Sequence, residues 1–310
     1  MSTFQNKQKS IQLKEDIIKY LLISAAGISV LTTFGILFSI LFEAIDFFSL
    51  KSFTYFLTGN EWSPGTANSK FGASAIFAGT FMITFIAIAI ALPIGVFSAI
   101  YMSEYASSKV RSTVKPLLEI LAGIPTVVYG FFAAITVAPF IVSVCDSLGV
   151  SASYNSALAA GVVMGIMIIP VISSLSDDVI SAVPDSLRKG SLALGMTQAE
   201  TIKDVVLPSA MPGIISATLL GISKALGETM IVVMAAGMNA NKFSINPLED
   251  MTTVTVQIVT ALTGDFEFDS PDTLSAFALG LVLFVVTLTL NIVSVMLIKK
   301  FKEKYKMSSL

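Results

Sequence analysis

AFALGLVLFVVTLTLNIVSVMLI, residues 276–298, runs for 23 residues without a charged side chain, and KKFKEKYK, residues 299–306, follows at once. At about 1.5 Å per residue such a helix is about 35 Å long, enough to cross a hydrocarbon core of about 30 Å. The lysines behind it, Lys299, Lys300, Lys302, Lys304 and Lys306, are the kind of flank that stays on the cytoplasmic side. Five further apolar stretches precede it, at residues 20–45, 75–102, 117–142, 157–175 and 213–238. Lipid offers backbone groups no water partner, so helices are the expected spanning structure. No stretch alternates as barrel strands do. The expectation is an all-α, polytopic membrane protein with six transmembrane helices.

Composition agrees. Of 310 residues 54% are hydrophobic and only 13% charged, against about 25% charged in soluble chains. The single cysteine, Cys145, excludes an internal disulfide and a cysteine-built metal site. With no histidine present, zinc catalysis, haem ligation and histidine triads are excluded as well. No metal ligands are expected. The first apolar stretch is long and lacks a small-x-small site after it, so it is expected to be an uncleaved anchor.

Basic residues set the orientation. Lys7, Lys9, Lys14 and Lys19 precede the first stretch. Lys109, Arg111 and Lys115 lie between the second and third, and Arg188, Lys189 and Lys203 between the fourth and fifth. With the five C-terminal lysines, 15 fall on one side, and only Lys51, Lys70 and Lys242 on the other. Both termini are therefore expected to be cytoplasmic, in a cell membrane. The outer loops carry nine acids: Asp46, Glu61, Asp146, Glu249, Asp250, Asp265, Glu267, Asp269 and Asp272. Such a field repels free anions, so an anionic substrate would have to be delivered, although a merely solvated acidic loop looks the same in sequence.

Two outer loops are long. One, residues 47–74, holds the sole tryptophan, Trp62. The other, residues 239–275, has Met251, Val254, Ile258 and Leu262 near helical spacing, which fits a short helix at the interface or one packed on the bundle. The inner loop 176–211 has sharper signals. Pro184-Asp185 opens a helix, Gly195 closes it, and Thr197 with Glu200 forms a capping-box pattern for a second helix. A helix, a glycine hinge and a helix would make a compact lever tied to two spans.

At this loop the chain resembles ABC importer permeases. Gly195, followed by Leu207-Pro208, is similar to the family's cytoplasmic E-A-A-x-x-x-G loop; the run here is Lys189-Gly190-Ser191-Leu192-Ala193-Leu194-Gly195. Lys189 stands where the family has its glutamate. Gly227-Glu228-Thr229-Met230 resembles the G-E-T-M stretch of phosphate permeases. The run Leu118-Glu119-Ile120-Leu121-Ala122-Gly123-Ile124-Pro125-Thr126, together with Trp62, looks like the PstC-type subunit rather than its PstA-type partner. The resemblance covers nearly the whole chain and implies a type I importer permease. It implies an assembly with a PstA-type permease, two copies of a PstB-type ATPase and an external phosphate-binding protein, in membrane lipid, with no nucleic acid. It implies a cytoplasmic segment 1–19, a six-helix permease domain 20–298 carrying the coupling loop 176–211, and a cytoplasmic tail 299–310. Coupling to the ATPase would fall on Leu192, Leu194, Gly195, Met196, Thr197 and Glu200.

Within the fifth stretch Lys224 lies roughly 18 Å past Pro212, and Glu228 one turn further on the same face. Charges at that depth cost about 2.5–3.5 kcal/mol each on insertion scales. Mutual pairing is expected, either as part of a transport pathway or as an architectural ion pair. Where the family often has arginine, Lys224 offers a compact ammonium without a bidentate fork. Thr229 and Pro125 complete the candidate pathway; Pro125 frees one backbone acceptor, which bends the span or faces a channel. An interfacial Lys115–Glu119 pair and close packing at Gly161 and Gly165 are also expected. No G-x-x-x-x-G-K-[ST] occurs, so this chain is expected to bind no cofactor, and ATP with magnesium belongs to the ATPase.

The expected function is the pore-forming, non-enzymatic subunit of a phosphate importer. A permease for another oxyanion or small solute is the near alternative. An intramembrane enzyme lacks its nucleophile-and-base pair, and a secondary transporter lacks visible repeat symmetry.

Overall fold

The computed structural model describes residues 2–66, 68–240, 243–264 and 267–306, with side chains from residue 14 to 301 of these. Lys242 and Asp265, and the side chains of Lys7, Lys9, Lys302, Lys304 and Lys306, lie outside the described residues.

The described chain is mostly helical. Helix α1, Ser2–Leu50, is followed by α2, Phe53–Thr58, and by a two-stranded antiparallel ribbon of β1, Trp62–Ser63, and β2, Lys70–Phe71. Helix α3, Ser74–Ile100, ends in a wide π turn, Tyr101–Tyr105. Then come α4, Ser108–Ala122, and α5, Thr126–Phe132, whose π turn Ala133–Val137 leads into α6, Ala138–Ser147. Helix α7, Ala157–Ser181, precedes α8, Asp185–Ala193, and α9, Gln198–Thr201. A third π turn, Ile202–Val206, leads into α10, Leu207–Leu226; α11, Met230–Ala235, α12, Val254–Thr263, and α13, Pro271–Lys306, complete the chain.

Among the described residues six helical stretches are long and apolar enough to cross a membrane: Lys14–Leu50, Ser74–Tyr105, Thr126–Ser147, Ala157–Ser181, Gln198–Leu226 and Pro271–Phe301. The number agrees with the sequence; the third and fifth spans differ most in extent. The third span begins at Thr126 rather than at residue 117. Residues 108–122 form the separate helix α4, which buries none of its side chains and has one polar and one apolar face. The fifth span breaks at residues 227–229 instead of running to residue 238. Hydropathy misses both breaks because Gly123-Ile124-Pro125 and Gly227-Glu228-Thr229 are short interruptions in apolar surroundings.

Helix α7 is the axis of the bundle, and its tightest neighbour is α3. A Cβ on Gly161 would fall 2.7 Å from Ile86 Cβ, and one on Gly165 would fall 3.0 Å from the Ala87 carbonyl. The glycine pair is thus the notch into which α3 sinks. Lipid tails are as apolar as leucine, so spans associate through such close contact rather than through the hydrophobic effect.

The acidic end of the bundle is built differently. Phe47, Phe56, Trp62 and Phe71 meet edge to face, with ring centroids 5.4 to 6.2 Å apart, and all four are buried. In water each such ring contributes about 1.5–3 kcal/mol through burial. Helix α12 packs onto this cap, with Val254 buried and Ile258 against the aromatic cluster. It therefore rests on the bundle rather than lying free at an interface. Trp62 donates from Nε1 to Gln257 Oε1 at 3.1 Å, and Gln257 Nε2 in turn reaches the Met238 carbonyl at 2.9 Å.

Candidate functional site

The two helix breaks open helices that pack on each other, α5 and α11. At the first, Pro125 is the N-cap of α5; its missing N–H is no loss at a helix start, and its carbonyl accepts from Val128 N at 3.0 Å. At the second, α10 ends on Leu226 and α11 begins at Met230. Helix α5 lies directly on α11. A Cβ on Gly130 would stand 3.0 Å from the Met230 carbonyl and 3.3 Å from Ile231 Cα. Gly130→Leu is accordingly expected to destabilise the assembled protein by about 1–3 kcal/mol, the range for overpacking. Thermal loss of detergent-solubilised protein measures it, and an unchanged midpoint would mean that the contact is loose.

Glu228 is buried, and its Oε1 accepts from Met230 N at 3.1 Å and Ile231 N at 3.4 Å. It caps α11 from inside the break. Its own carbonyl accepts from Thr255 Oγ1 of α12 at 2.8 Å, so the break is pinned from the acidic end. Thr229, partly buried, is the N-cap residue of α11 and contributes its carbonyl to Val233 N at 2.9 Å, with no side-chain cap bond.

Lys224 sits in the last turn of α10 and is partly exposed. The expected pair with Glu228 is not formed, and no ion pair of Lys224 occurs among the described residues. The helix stops between the two residues, so four positions no longer place them on one face. The Glu228 carboxyl group satisfies backbone donors instead. Glu228 and Thr229 thus lie at the start of α11, which α5 meets at Gly130, with Lys224 one turn before the break; Pro125 caps the start of α5 and is not among the residues shown at that contact.

The residues expected to couple lie elsewhere, at the basic end. Helix α8 closes in a Schellman motif: Gly195 N donates to the Leu192 carbonyl at 3.0 Å and Met196 N to the Ser191 carbonyl at 3.3 Å. Gly195 has φ +89, a left-handed value that L side chains rarely adopt. The capping box is complete: Thr197 Oγ1 accepts from Glu200 N at 3.3 Å, and Glu200 Oε2 accepts from Thr197 N at 2.8 Å. Between the two helices Leu194 is 86% exposed and Leu192 is 49% exposed, an apolar knob with nothing covering it. Met196 is partly buried, its sulfur accepting from Ser191 Oγ at 2.9 Å.

An ionic network that the sequence reading missed fastens this end. Asp177 of α7, fully buried, accepts from Arg111 Nη2 at 2.9 Å and lies 3.4 Å from Lys115 Nζ. Lys115 also pairs with Asp178, not with the expected Glu119, which is exposed. Helix α4 turns its basic side to α7, and that places Lys115 against the two aspartates. The hydrogen bond to Asp178 and the two aspartate charges raise the Lys115 pKa above the ordinary lysine value, against the lowering effect of burial. Arg188 pairs with Glu104 at 2.8 Å. The partners are about 60 to 85 positions apart in sequence, so no local spacing could reveal them.

Residues 91–303 match the family described as binding-protein-dependent transport system inner membrane component. The phosphate transport system permease protein PstC of Mesorhizobium japonicum is 34% identical, over 85% of this chain and 84% of its own length. The PstC of Pasteurella multocida is 32% identical over 87% of each. A probable ABC transporter permease protein of Bacillus subtilis, YqgH, is 32% identical over 75% of this chain and 73% of its own. Among solved structures, a bacterial ABC transporter involved in the import of the acidic polysaccharide alginate superposes with a TM-score of 0.62 at 14% identity, over 93% of this chain and 99% of that one. The MetNI methionine ABC transporter, in inward-facing form, gives a TM-score of 0.53 at 17% identity, over 73% and 94%. At these identities the structures bear on fold alone.

Proposed function

Because the chain belongs to the family of binding-protein-dependent transport system inner membrane components, we propose that it is the PstC-type permease subunit of an ATP-driven phosphate importer. The observation that carries the substrate is Lys224: a basic residue in the last turn of a spanning helix, beside a break whose Glu228 side chain is already spent on backbone donors. An anion passing the break meets a positive charge without a built-in counter-charge. One lysine with no fork attracts phosphate without gripping it, and conduction needs weak contacts. Glu228 keeps the break in shape, Thr229 and Pro125 sit at the two helix starts, and the chain itself performs no chemistry.

The partners follow from this reading. A PstA-type permease forms the other half of the pathway. Two copies of a PstB-type ATPase bind ATP with magnesium and dock on the knob around Leu192, Leu194, Gly195 and Met196. An external phosphate-binding protein overcomes the repulsion of the acidic outer loops. This chain needs no cofactor of its own. It sits in the cell membrane, with segment 1–19, the coupling loop and tail 299–310 in the cytoplasm and residues 20–298 as the permease domain. The deciding experiment is ATP-dependent phosphate uptake by the reconstituted complex with and without this chain; equal uptake in both would refute the proposal.

Orientation is tested separately. In a Cys145→Ser background, Thr66→Cys and Ser270→Cys are expected to react with an impermeant thiol reagent in intact cells. Reaction only after permeabilisation would invert the topology.

A further inference from the structure

The coupling segment is joined by the chain only to α7 and, through α9 and its π turn, to α10. The structure adds a third attachment. Arg188 of α8 forks onto Glu104, with Nη2 2.8 Å and Nε 3.3 Å from Oε1. The same guanidinium donates to the Ile180 carbonyl at 2.8 Å and to the Val183 carbonyl at the foot of α7. From the far side Gln198 of α9 donates Nε2 to the Glu104 carbonyl at 3.0 Å. Ser103 Oγ meets Ser181 Oγ at 3.1 Å, and Ser181 Oγ accepts from Arg111 Nη2 at 2.6 Å. The acid and the base are 9% and 18% exposed, so water screens the pair little.

Glu104 owes its place to the π turn at the foot of α3. A π turn inserts an extra residue into the helix and recurs at functional sites. Here the widened turn presents both the carboxylate and the carbonyl of one residue to α8 and α9. Helix α3 is also the span packed most closely on α7, through the notch at Gly161 and Gly165.

We infer that Glu104 is a positioning residue for coupling: through Arg188 it makes α8 and α9 rigid with α3, so that a push on the Leu192–Leu194 knob moves the α3–α7 pair as one body. The inference rests on the proposed coupling role of this loop and adds a span to which the loop is not connected by sequence. Without the joint, the knob would swing about Val183 and Val206 and the motor stroke would be lost in the loop.

The test is phosphate imported per ATP hydrolysed, in proteoliposomes holding the full complex. Glu104→Gln and Arg188→Gln are each expected to lower that ratio about tenfold, within the usual span of coupling energies, while ATP hydrolysis per assembled complex persists. The double variant is expected to do no worse than the poorer single one, because both remove the same joint. A merely structural pair would change the amount assembled and leave the ratio alone. Arg188→Lys, which keeps the charge and loses the fork, serves if the glutamine variants do not assemble; it too is expected to lower the ratio. An unchanged ratio, or single losses that multiply in the double variant, would overturn the inference. A wild-type complex without ATP-dependent phosphate uptake would instead overturn the proposed function.

Discussion

Lys224→Gln is expected to abolish most ATP-dependent phosphate uptake while leaving the amount of assembled complex near normal. Both halves follow from geometry. Lys224 has no ion pair among the described residues, so removing its charge orphans no internal partner. Glu228 is held by Met230 N and Ile231 N and does not depend on the lysine. The loss should therefore fall on the passing anion, and about 2 kcal/mol less attraction in a poorly screened site is about a thirtyfold lower rate. Lys224→Arg is expected to keep substantial uptake, because charge is retained. Glu228 should behave in the opposite way. Glu228→Gln keeps an acceptor for both N–H groups and should assemble, whereas Glu228→Ala leaves the buried Ile231 N–H unpaired, at about 1–3 kcal/mol, and the part-buried Met230 N–H with it, and should lower assembly first. Uptake normalised to assembled complex separates the two residues. Normal uptake by Lys224→Gln would remove the lysine from the pathway.

Gly195→Trp should uncouple ATP hydrolysis from transport, or prevent docking of the ATPase, and Gly195→Ala tells the causes apart. At φ +89 any side chain is strained, by about 1–2 kcal/mol. That strain is common to both variants. Nothing lies within 4 Å of a Cβ placed there, and Gly195 is exposed, so a side chain leaves this position into open space. A larger defect in the tryptophan variant therefore reports a surface that is open in this chain and filled in the complex. Coupled transport by Gly195→Trp at the wild-type rate would mean that the knob is not the docking surface.

Six spans and the helix, hinge and helix of the inner loop were legible because their signals are local. A charge-free run of about 20 residues, a glycine after a helix, and a threonine three positions before a glutamate each lie within one or two turns of chain. The failures share the opposite property. The spacing of Lys224 and Glu228 implies a pair only if the helix is continuous, and Gly227 ends it. Lys115 has Glu119 at an ideal spacing yet turns to Asp177 and Asp178, because α4 packs its basic side on α7. Asp177 drew no notice in sequence, being an acid at the polar end of an apolar run, although it is the most deeply enclosed carboxylate of that network.

The aromatic cap gives the molecule an optical reporter of its own. Trp62 is the only indole in the chain, and its N–H is committed to Gln257, which also holds the carbonyl of Met238 beyond the broken helix. Every photon of tryptophan emission thus originates at the joint between the hairpin, α12 and the segment that follows α11. When a partner loosens that joint, the indole exchanges a carboxamide for water, and its emission should move to longer wavelength and become open to a polar quencher. Opening of the acidic end can therefore be timed without a label, provided that the partner chains are made free of tryptophan.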